Sequence, residues 1–439
     1  MRTPERVAVV GAGVSGIAAA LALHRAGRTV EILERADRIG GRLGFAELDG
    51  GEVLLGGKNI GRGYSRFRAM LDSLGGTGYE PFGINTSRLV AGRLVSLDSD
   101  HRAETLHGIL RMCDWRDLST LDSLARKVRS ADSARFLGSE LTRKLGRHDD
   151  RPLSAHFGKR TTAHFLRPIT VRMNGAEPDE AYYGTFPTNM GMLLDKFEQP
   201  TVGLSTLLTR ITEFVEIQYR TTVTRITQAD DGVVLDLVDA AGRPGQARYD
   251  AVVVGTPAYA AAPLLDPLSA ALADLLRSVR YYPATVAVVR YVHNVFAADV
   301  RAIALDGQPC SNAGSYGKET RNIVRYTFSG RYGRSTDPTE ATVLDLVTDA
   351  EQQLRTHLGT VRQQRTAAAV RHWPQAYCGY LPHYSDFLDT LTAAAAALPR
   401  IALAGDYLLG TSLEACCRSG ERAAAALLSV PRGATRCES

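Results

Sequence analysis

Residues 5–16 have the sequence Glu-Arg-Val-Ala-Val-Val-Gly-Ala-Gly-Val-Ser-Gly, and this stretch decides the fold. Its apolar first half predicts a short strand that stops at Gly11, and a helical pattern of apolar residues follows over 14–26. A second apolar run, Thr29–Leu33, ends at Glu34. The order of strand, glycine turn, helix and strand predicts one βαβ unit.

The three glycines of this stretch have the spacing GxGxxG. Gly11 permits a tight turn, Gly13 lets the backbone approach a pyrophosphate, and Gly16 allows the helix to pack closely on the strand. The helix N-terminus adds partial positive charge for the anion. Glu34 ends the second strand, where its carboxylate accepts a hydrogen bond from a ribose 2′-OH and repels a 2′-phosphate. Together these features predict a dinucleotide site.

Composition excludes several classes of protein. The chain has 439 residues, which favours two or more domains, and its 44% hydrophobic and 23% charged residues are typical of a globular protein. The formal net charge of +5 comes from dispersed arginines, so no nucleic-acid partner is predicted. No apolar stretch is long enough to span a bilayer, and no secretory leader is recognisable, so we expect no integral membrane segment and a cytoplasmic location.

No metal site is predicted. The six cysteines lack CxxC spacing, and we expect reduced, mostly buried thiols. His156 and His164 lie eight positions apart in a helical region without a matching set of ligands, and are interpreted as ordinary polar positions.

After the first βαβ unit comes Gly40-Gly41-Arg42. Here the chain resembles the superfamily of flavin-containing amine oxidases, porphyrinogen oxidases and phytoene desaturases. The resemblance implies that FAD is the cofactor, and that Arg42 and the adjacent glycine amides neutralise its pyrophosphate. A guanidinium with backbone donors suits two phosphates. Arg35, next to Glu34, joins the candidate cofactor residues.

Three later segments resemble the same families. Gly56–Gly61, including Gly57, corresponds to a glycine stretch near the flavin ring, and the strand around Val223 to one that meets adenine. Residues 404–420 resemble the C-terminal FAD segment. There the resemblance places Gly405 and Asp406 at the ribityl and pyrophosphate groups, and the Leu413 amide at the flavin carbonyl edge. We expect the FAD to be non-covalent.

The predicted fold class is α/β: a discontinuous Rossmann-like FAD-binding domain with a second, α+β substrate-binding domain. We assign residues 1–85, 200–265 and 395–430 to the first domain. Residues 86–199 and 266–394 form the second domain, and 431–439 a C-terminal tail. Outside the first unit the sequence predicts a hairpin over 87–96, a helix over 264–280, and strands over 216–225, 233–238, 247–254, 285–292, 303–305, 322–328, 367–372 and 401–404.

The predicted function is that of an FAD-dependent oxidoreductase. It would remove a hydride from a CH–NH or CH–CH unit of a small molecule, in specialised biosynthesis, and pass electrons to O2 or another acceptor. Lys58 and Asn59, together with Tyr377 and Tyr380 as an aromatic wall, are the candidate pocket residues. Three alternatives stay open: a porphyrinogen oxidase, a carotenoid-type desaturase, and a non-catalytic prenyl-protein chaperone of the same fold. The segment Leu54–Asn59 departs from the porphyrinogen oxidase pattern, and residues 100–200, where the substrate pocket is expected, match no known segment.

Overall fold

The computed structural model describes residues 5–76, 78–81, 85–90, 93–98, 101–296, 300–318, 320–335, 338–358 and 364–429. The predicted tail (431–439) and the turn of the predicted hairpin (91–92) lie outside these residues.

The strands are β1 (Arg6–Val10), β2 (Thr29–Leu33), β3 (Phe45–Leu48), β4 (Gly51–Leu54), β5 (Ile60–Gly61), β6 (Tyr79–Pro81), β7 (Asn85–Val90), β8 (Arg93–Asp98), β9 (Phe197–Pro200), β10 (Glu216–Gln218), β11 (Thr222–Ala229), β12 (Gly232–Val238), β13 (Pro244–Tyr249), β14 (Ala251–Val254), β15 (Arg280–Tyr291), β16 (Ala302–Ala304), β17 (Cys310–Ser315), β18 (Ile323–Phe328), β19 (Arg365–Gly379) and β20 (Ile401–Leu403).

The helices are α1 (Val14–Arg25), α2 (Ser65–Ser73), α3 (Arg102–Met112), α4 (Leu118–Ser130), α5 (Glu140–Gly146), α6 (Lys159–Thr161), α7 (Arg167–Asn174), α8 (Phe186–Leu193), α9 (Leu204–Thr209), α10 (Ala258–Leu265), α11 (Ala270–Ser278), α12 (Gly330–Arg334), α13 (Glu340–Leu358), α14 (Tyr384–Ala396), α15 (Asp406–Leu409) and α16 (Leu413–Ser429).

A parallel sheet carries the dinucleotide motif. Within the described residues its strand order is β10-β2-β1-β14-β20, so segments from both ends of the chain are neighbours. Val9 pairs with Ile32 on one side and Val253 on the other, and all three are fully buried. Strands buried on both faces are apolar throughout. The predicted βαβ unit is confirmed, and α1 packs against α16.

Two predicted strands are divided in the structure. Residues 216–225 form β10 in the parallel sheet and β11 in an antiparallel sheet with β12 and β13, because the chain reverses at Arg220, which has a φ of 52°. Residues 247–254 divide at Asp250, whose carboxylate accepts a hydrogen bond from the Arg6 backbone N–H at 2.6 Å. The predicted helix over 264–280 is likewise replaced by α10 and α11, followed by β15.

The second large sheet has the order β19-β15-β18-β17-β16-β7-β8 in the described part of the chain. It includes the predicted hairpin as β7 and β8. Sequence analysis missed β17, because Cys-Ser-Asn-Ala-Gly-Ser lacks the β-branched run that marks a strand. It also ended β19 too early, since this strand continues past Trp373 to Gly379.

The region from 102 to 200 is mainly helical, and its helices pack with β7 and β8 around a separate apolar core. The predicted mixed α/β class is confirmed. None of the helices within the described ranges has the length and hydropathy needed to cross a lipid bilayer.

Candidate functional site

One cavity of about 1170 Å3 extends from the glycine turn of the parallel sheet to the second large sheet. Both the predicted cofactor-binding residues and the predicted substrate-pocket residues contribute to its wall. The predicted residues that line it are Gly11, Gly13, Glu34, Arg35, Gly40, Gly41, Arg42, Gly57, Lys58, Asn59, Val223, Tyr377, Gly405, Asp406 and Leu413.

The glycine turn leaves room for a ligand at the start of α1. Gly11 has a φ of +97°, which favours glycine, and a Cβ on Gly13 would meet no protein atom within 4 Å. A Cβ on Gly16 would instead collide with the Gly11 carbonyl oxygen, so Gly16 is a packing residue and does not line the cavity. No side chain caps α1. Its first backbone N–H groups therefore suit an anion.

Glu34 lies at the end of β2 and is held by backbone donors. Its carboxylate accepts hydrogen bonds from the N–H groups of Ala12 at 2.6 Å and Ala36 at 2.7 Å. Each carboxylate oxygen has a further lone pair. Glu34 can therefore accept ribose hydroxyls while it holds the turn.

Arg42 and Asp406 form an ion pair across the cavity wall. Arg42 Nη1 donates to Asp406 Oδ2 at 2.8 Å and to the Ala376 carbonyl at 3.1 Å, and the Tyr281 hydroxyl donates to Asp406 Oδ1 at 3.0 Å. Burial opposes the charge of Arg42, but Asp406 outweighs it and raises the pKa of the guanidinium. The Asp406 side chain is 4% exposed and that of Arg42 is 30% exposed. The pair thus fixes the guanidinium at the cavity, with further donors on it for phosphate.

The middle of the cavity lies between Gly57 and Leu413. A Cβ on Gly57 would lie 3.6 Å from Leu413 Cδ2, and α16 begins at Leu413. Two residues that line the cavity, Asn59 and Thr256, have a buried side-chain oxygen (Oδ1 and Oγ1) without a hydrogen-bond partner in the protein. A polar ligand would satisfy them. This donor and acceptor set, together with the open space at Gly13, fits FAD.

Beyond Gly57 the cavity wall is cationic. Lys58 is buried, and Arg172 of α7 and Arg325 of β18 line the same part of the cavity. We call these three residues the cationic cluster. Tyr377 of β19 lies beside both arginines, and burial raises the pKa of its hydroxyl.

Tyr380 does not form the predicted aromatic wall. It follows the end of β19 and is not among the residues that line the cavity. Its hydroxyl donates to the Asp406 carbonyl at 3.2 Å, and its ring packs edge-on against Tyr384, with the centroids 4.9 Å apart. Because the chain leaves the sheet after Gly379, Tyr377 and Tyr380 face different surroundings.

The interpretation of His164 as an ordinary polar position is wrong. It lines the cavity, and its buried Nδ1 has no hydrogen-bond partner in the protein. Burial and then Arg88 lower the pKa of its imidazole. His156 instead stacks on Tyr183 with the ring centroids 5.0 Å apart, away from the cavity.

Sequence analysis also missed Arg172 and Arg325, which belong to no motif. One signal was present for Arg325, since it interrupts the apolar strand β18 and shares a cavity-facing side with Thr327, two residues later.

The cysteines that the structure describes, Cys113, Cys310, Cys378, Cys416 and Cys417, are all free thiols. In the described residues, no group of three or more His, Cys, Asp and Glu side chains is arranged to hold a metal ion.

One family model matches nearly the whole chain, whereas the match to a curated relative is short. A family model described as "Flavin containing amine oxidoreductase" matches residues 14–428. A putrescine oxidase of Kocuria rosea is 42% identical over 76 residues, a match that covers 17% of this chain and only 16% of that protein.

Solved structures match over nearly the full length. A putative protoporphyrinogen oxidase from Exiguobacterium sp. 255-15 has a TM-score of 0.72 at 17% identity, with 97% of this chain and 99% of that chain covered. Cyclohexylamine oxidase from Brevibacterium oxydans IH-35A has a TM-score of 0.70 at 21% identity, with the same coverage. At these identities the two structures show a shared fold.

Proposed function

Because the chain belongs to the family of flavin-containing amine oxidoreductases, we propose that it uses non-covalent FAD to oxidise a CH–NH or CH–CH unit of a small organic substrate. The observation that carries the proposal is the single cavity, which joins the dinucleotide turn to a pocket beside Gly57. A substrate in that pocket would have its reacting carbon next to the flavin ring. We further propose a role in specialised biosynthesis.

The chain's own residues have three tasks in this reaction. The first N–H groups of α1 and the Arg42 guanidinium hold the pyrophosphate, and Glu34 holds the adenosine ribose. Leu413, at the N-terminus of α16, would place positive helix-dipole charge beside the flavin ring. Asn59, with its buried acceptor oxygen, contacts the cofactor or the substrate.

Bound FAD supplies the acceptor for a hydride, and O2 or another acceptor then takes the two electrons. The substrate C–N or C–C single bond becomes a double bond as two electrons and two protons leave. The cavity wall orients the reacting carbon and keeps water from it. No strong protein base is required when the substrate enters as a neutral amine or an electron-rich CH–CH unit.

The proposal is tested first on the purified protein. It should be yellow, and denaturation should release FAD that is identified by mass. Colourless protein that takes up no flavin from excess FAD would contradict the proposal and favour the chaperone alternative. Anaerobic bleaching of the flavin by an amine or a CH–CH donor supports it, whereas rapid turnover of a porphyrinogen would favour the porphyrinogen oxidase alternative.

A matched pair of variants tests the site itself. Gly13→Ala adds a methyl group where the protein has open space and where the pyrophosphate is expected. We expect FAD affinity to fall at least about tenfold, which is about 1.4 kcal/mol, with unchanged stability of the flavin-free protein. The control is Gly245→Ala in β13, which also has no protein atom within 4 Å of its Cβ and does not line the cavity. Equal FAD affinity in the two variants would place the cofactor elsewhere.

A further inference from the structure

Three elements that are distant in the sequence place the cationic cluster in one part of the cavity. Lys58 lies within the glycine stretch 56–61, Arg172 on α7 and Arg325 on β18. The charges of Arg325 and Arg172 both act on Lys58, and that of Arg325 acts on Arg172, so the three side chains are close together.

Three other arginines in the cavity wall form ion pairs with carboxylates. Arg42 is paired with Asp406, and Arg88 and Arg167 are both paired with Asp306. By contrast, the contacts of Lys58 include the neutral carbonyl of Tyr316 and its ring, whose centroid is 4.4 Å from Nζ.

Arg325 Nη1 likewise donates to a neutral acceptor, the Leu54 carbonyl, at 2.9 Å. These carbonyl contacts hold the two side chains in position, and the carbonyl groups themselves carry no net charge.

The surroundings oppose all three charges. Burial lowers the pKa values of Lys58, Arg172 and Arg325, and the repulsion of Arg325 lowers those of Lys58 and Arg172 further. The arginines nevertheless stay protonated, since their ordinary pKa exceeds 12. A bound anion would offset this repulsion and accept charge-assisted hydrogen bonds from the planar guanidinium groups.

Apolar side chains also line the cavity, and they come from the chain segment that carries Arg172. They belong to Phe165, Ile169 and Met173. The ligand therefore combines an anionic end with an apolar body.

We propose that the cationic cluster binds a carboxylate of the substrate, so that the substrate is an organic acid with an apolar body rather than a cationic amine. This inference rests on the proposed function, because it assigns the substrate class of the same cavity. Two like charges that are close together repel more strongly in a buried cavity than in water, because the effective dielectric constant is lower there. A substrate whose charged group is an ammonium would therefore be excluded from this end, whereas an amino acid could place its carboxylate there.

The test uses the flavin-bound protein and three probes with one skeleton: 3-phenylpropanoate, 3-phenylpropylamine and 3-phenylpropanol. Binding is measured by calorimetry and by the change in flavin absorption. We expect the acid to bind at least tenfold more tightly than the amine or the alcohol. Equal or tighter binding of the amine or alcohol overturns the proposal, and tighter binding of 2-phenylethylphosphonate overturns the choice of carboxylate.

Single substitutions test which residues are responsible for binding 3-phenylpropanoate. Arg172→Met and, independently, Arg325→Met should each weaken 3-phenylpropanoate binding at least tenfold, and Arg172→Lys should retain most of the affinity. The matched control is Arg371→Met, which removes one positive charge from the same cavity wall, beside Arg38 and over the Trp373 ring. It should change the affinity less than twofold.

Unchanged affinity in both cluster variants, or an equal loss in the control, contradicts the assignment. Flavin content and thermal unfolding are measured for every variant. Protein without flavin marks failure of the proposed function, whereas yellow protein without preference for the acid marks failure of this inference alone.

Discussion

At the dinucleotide end of the cavity, Gly11, Gly13 and Glu34 lie on consecutive segments around one turn, and backbone N–H groups donate to the Glu34 carboxylate. At the substrate end, the cationic cluster is assembled from a loop, a helix and a strand, and its charges repel one another. The first region is a local structure that binds a ligand common to the family. The second depends on the tertiary fold, and its positive charge is the basis of the proposed preference for an acidic substrate.

The largest expected effect comes from the ion pair at the boundary between the two regions. Arg42→Met leaves the Asp406 carboxylate buried without its cationic partner, so the free energy of unfolding should fall by about 3–5 kcal/mol and FAD should be lost. Urea unfolding and flavin content measure both effects. Arg38→Met is the control, since its partner Asp37 is about half exposed and solvent screens the pair, so this change should affect stability much less.

A double variant separates stability from cofactor binding. Adding Asp406→Asn to Arg42→Met removes the buried charge and should restore part of the stability but not the FAD. Full recovery of FAD binding would show that Arg42 acts only on Asp406 and not on the pyrophosphate.

Sequence patterns could predict the dinucleotide end because each of its features is local. A strand that stops at Gly11, an uncapped helix start at Gly13 and an acid at position 34 are all adjacent along the chain or joined by a single βαβ unit. The fold class and the order of β1, α1 and β2 were predicted for the same reason.

The substrate end could not be predicted, because no sequence spacing relates Arg172 to Arg325. Only the pairing of β18 in the second sheet and the packing of α7 bring them to Lys58. Strands with weak propensity, such as β17, and a chain reversal at one positive-φ residue, Arg220, also left no clear local pattern. The sequence indicates an ordinary polar position for His164, because no matching metal ligands accompany it. The absence of such ligands does not reveal whether a residue lines a cavity.

The second prediction compares two glycines of the same turn. Gly16→Ala should lower the free energy of unfolding by about 1–3 kcal/mol, because its Cβ collides with the Gly11 carbonyl oxygen, a backbone atom that cannot move away freely. Gly13→Ala should leave the stability unchanged. Thermal unfolding of both flavin-free proteins measures the difference. Equal stabilities would mean that α1 can shift relative to β1.

The third prediction concerns the pH dependence of stability at the substrate end. Burial, together with Arg325 and Arg172, lowers the pKa of Lys58 below its ordinary value, and Glu80 only partly opposes this shift. Between that lowered pKa and the ordinary value of about 10.4, the unfolded chain binds more protons than the folded protein. The stability contributed by Lys58 is therefore lowest at low pH and rises with pH through this window, by at most about 1.4 kcal/mol per pH unit.

Lys58→Met should remove this part of the slope, and 3-phenylpropanoate should reduce it in the unchanged protein, since a bound anion favours the protonated amine. Urea unfolding across the pH range measures the slopes. Lys127→Met, which replaces an exposed lysine on α4, should leave the slope as it is. A slope that is the same with and without Lys58 would mean that its charge is compensated.

The smallest expected effects distinguish the two tyrosines that the sequence placed together. Tyr380→Phe removes the hydrogen bond to the Asp406 carbonyl and should lower the free energy of unfolding by about 1 kcal/mol, without changing affinity for 3-phenylpropanoate. Tyr377→Phe removes a hydroxyl beside the two arginines of the cluster and should weaken binding of the acid about fivefold, a loss of about 1 kcal/mol. Tyr332→Phe is the control for both, because this side chain is 50% exposed and lies outside the cavity wall. If the two effects were exchanged, Tyr380 would belong to the substrate end of the cavity. Tyr377 would then support Asp406, and the assignment of the two tyrosines to the two regions would have to be reversed.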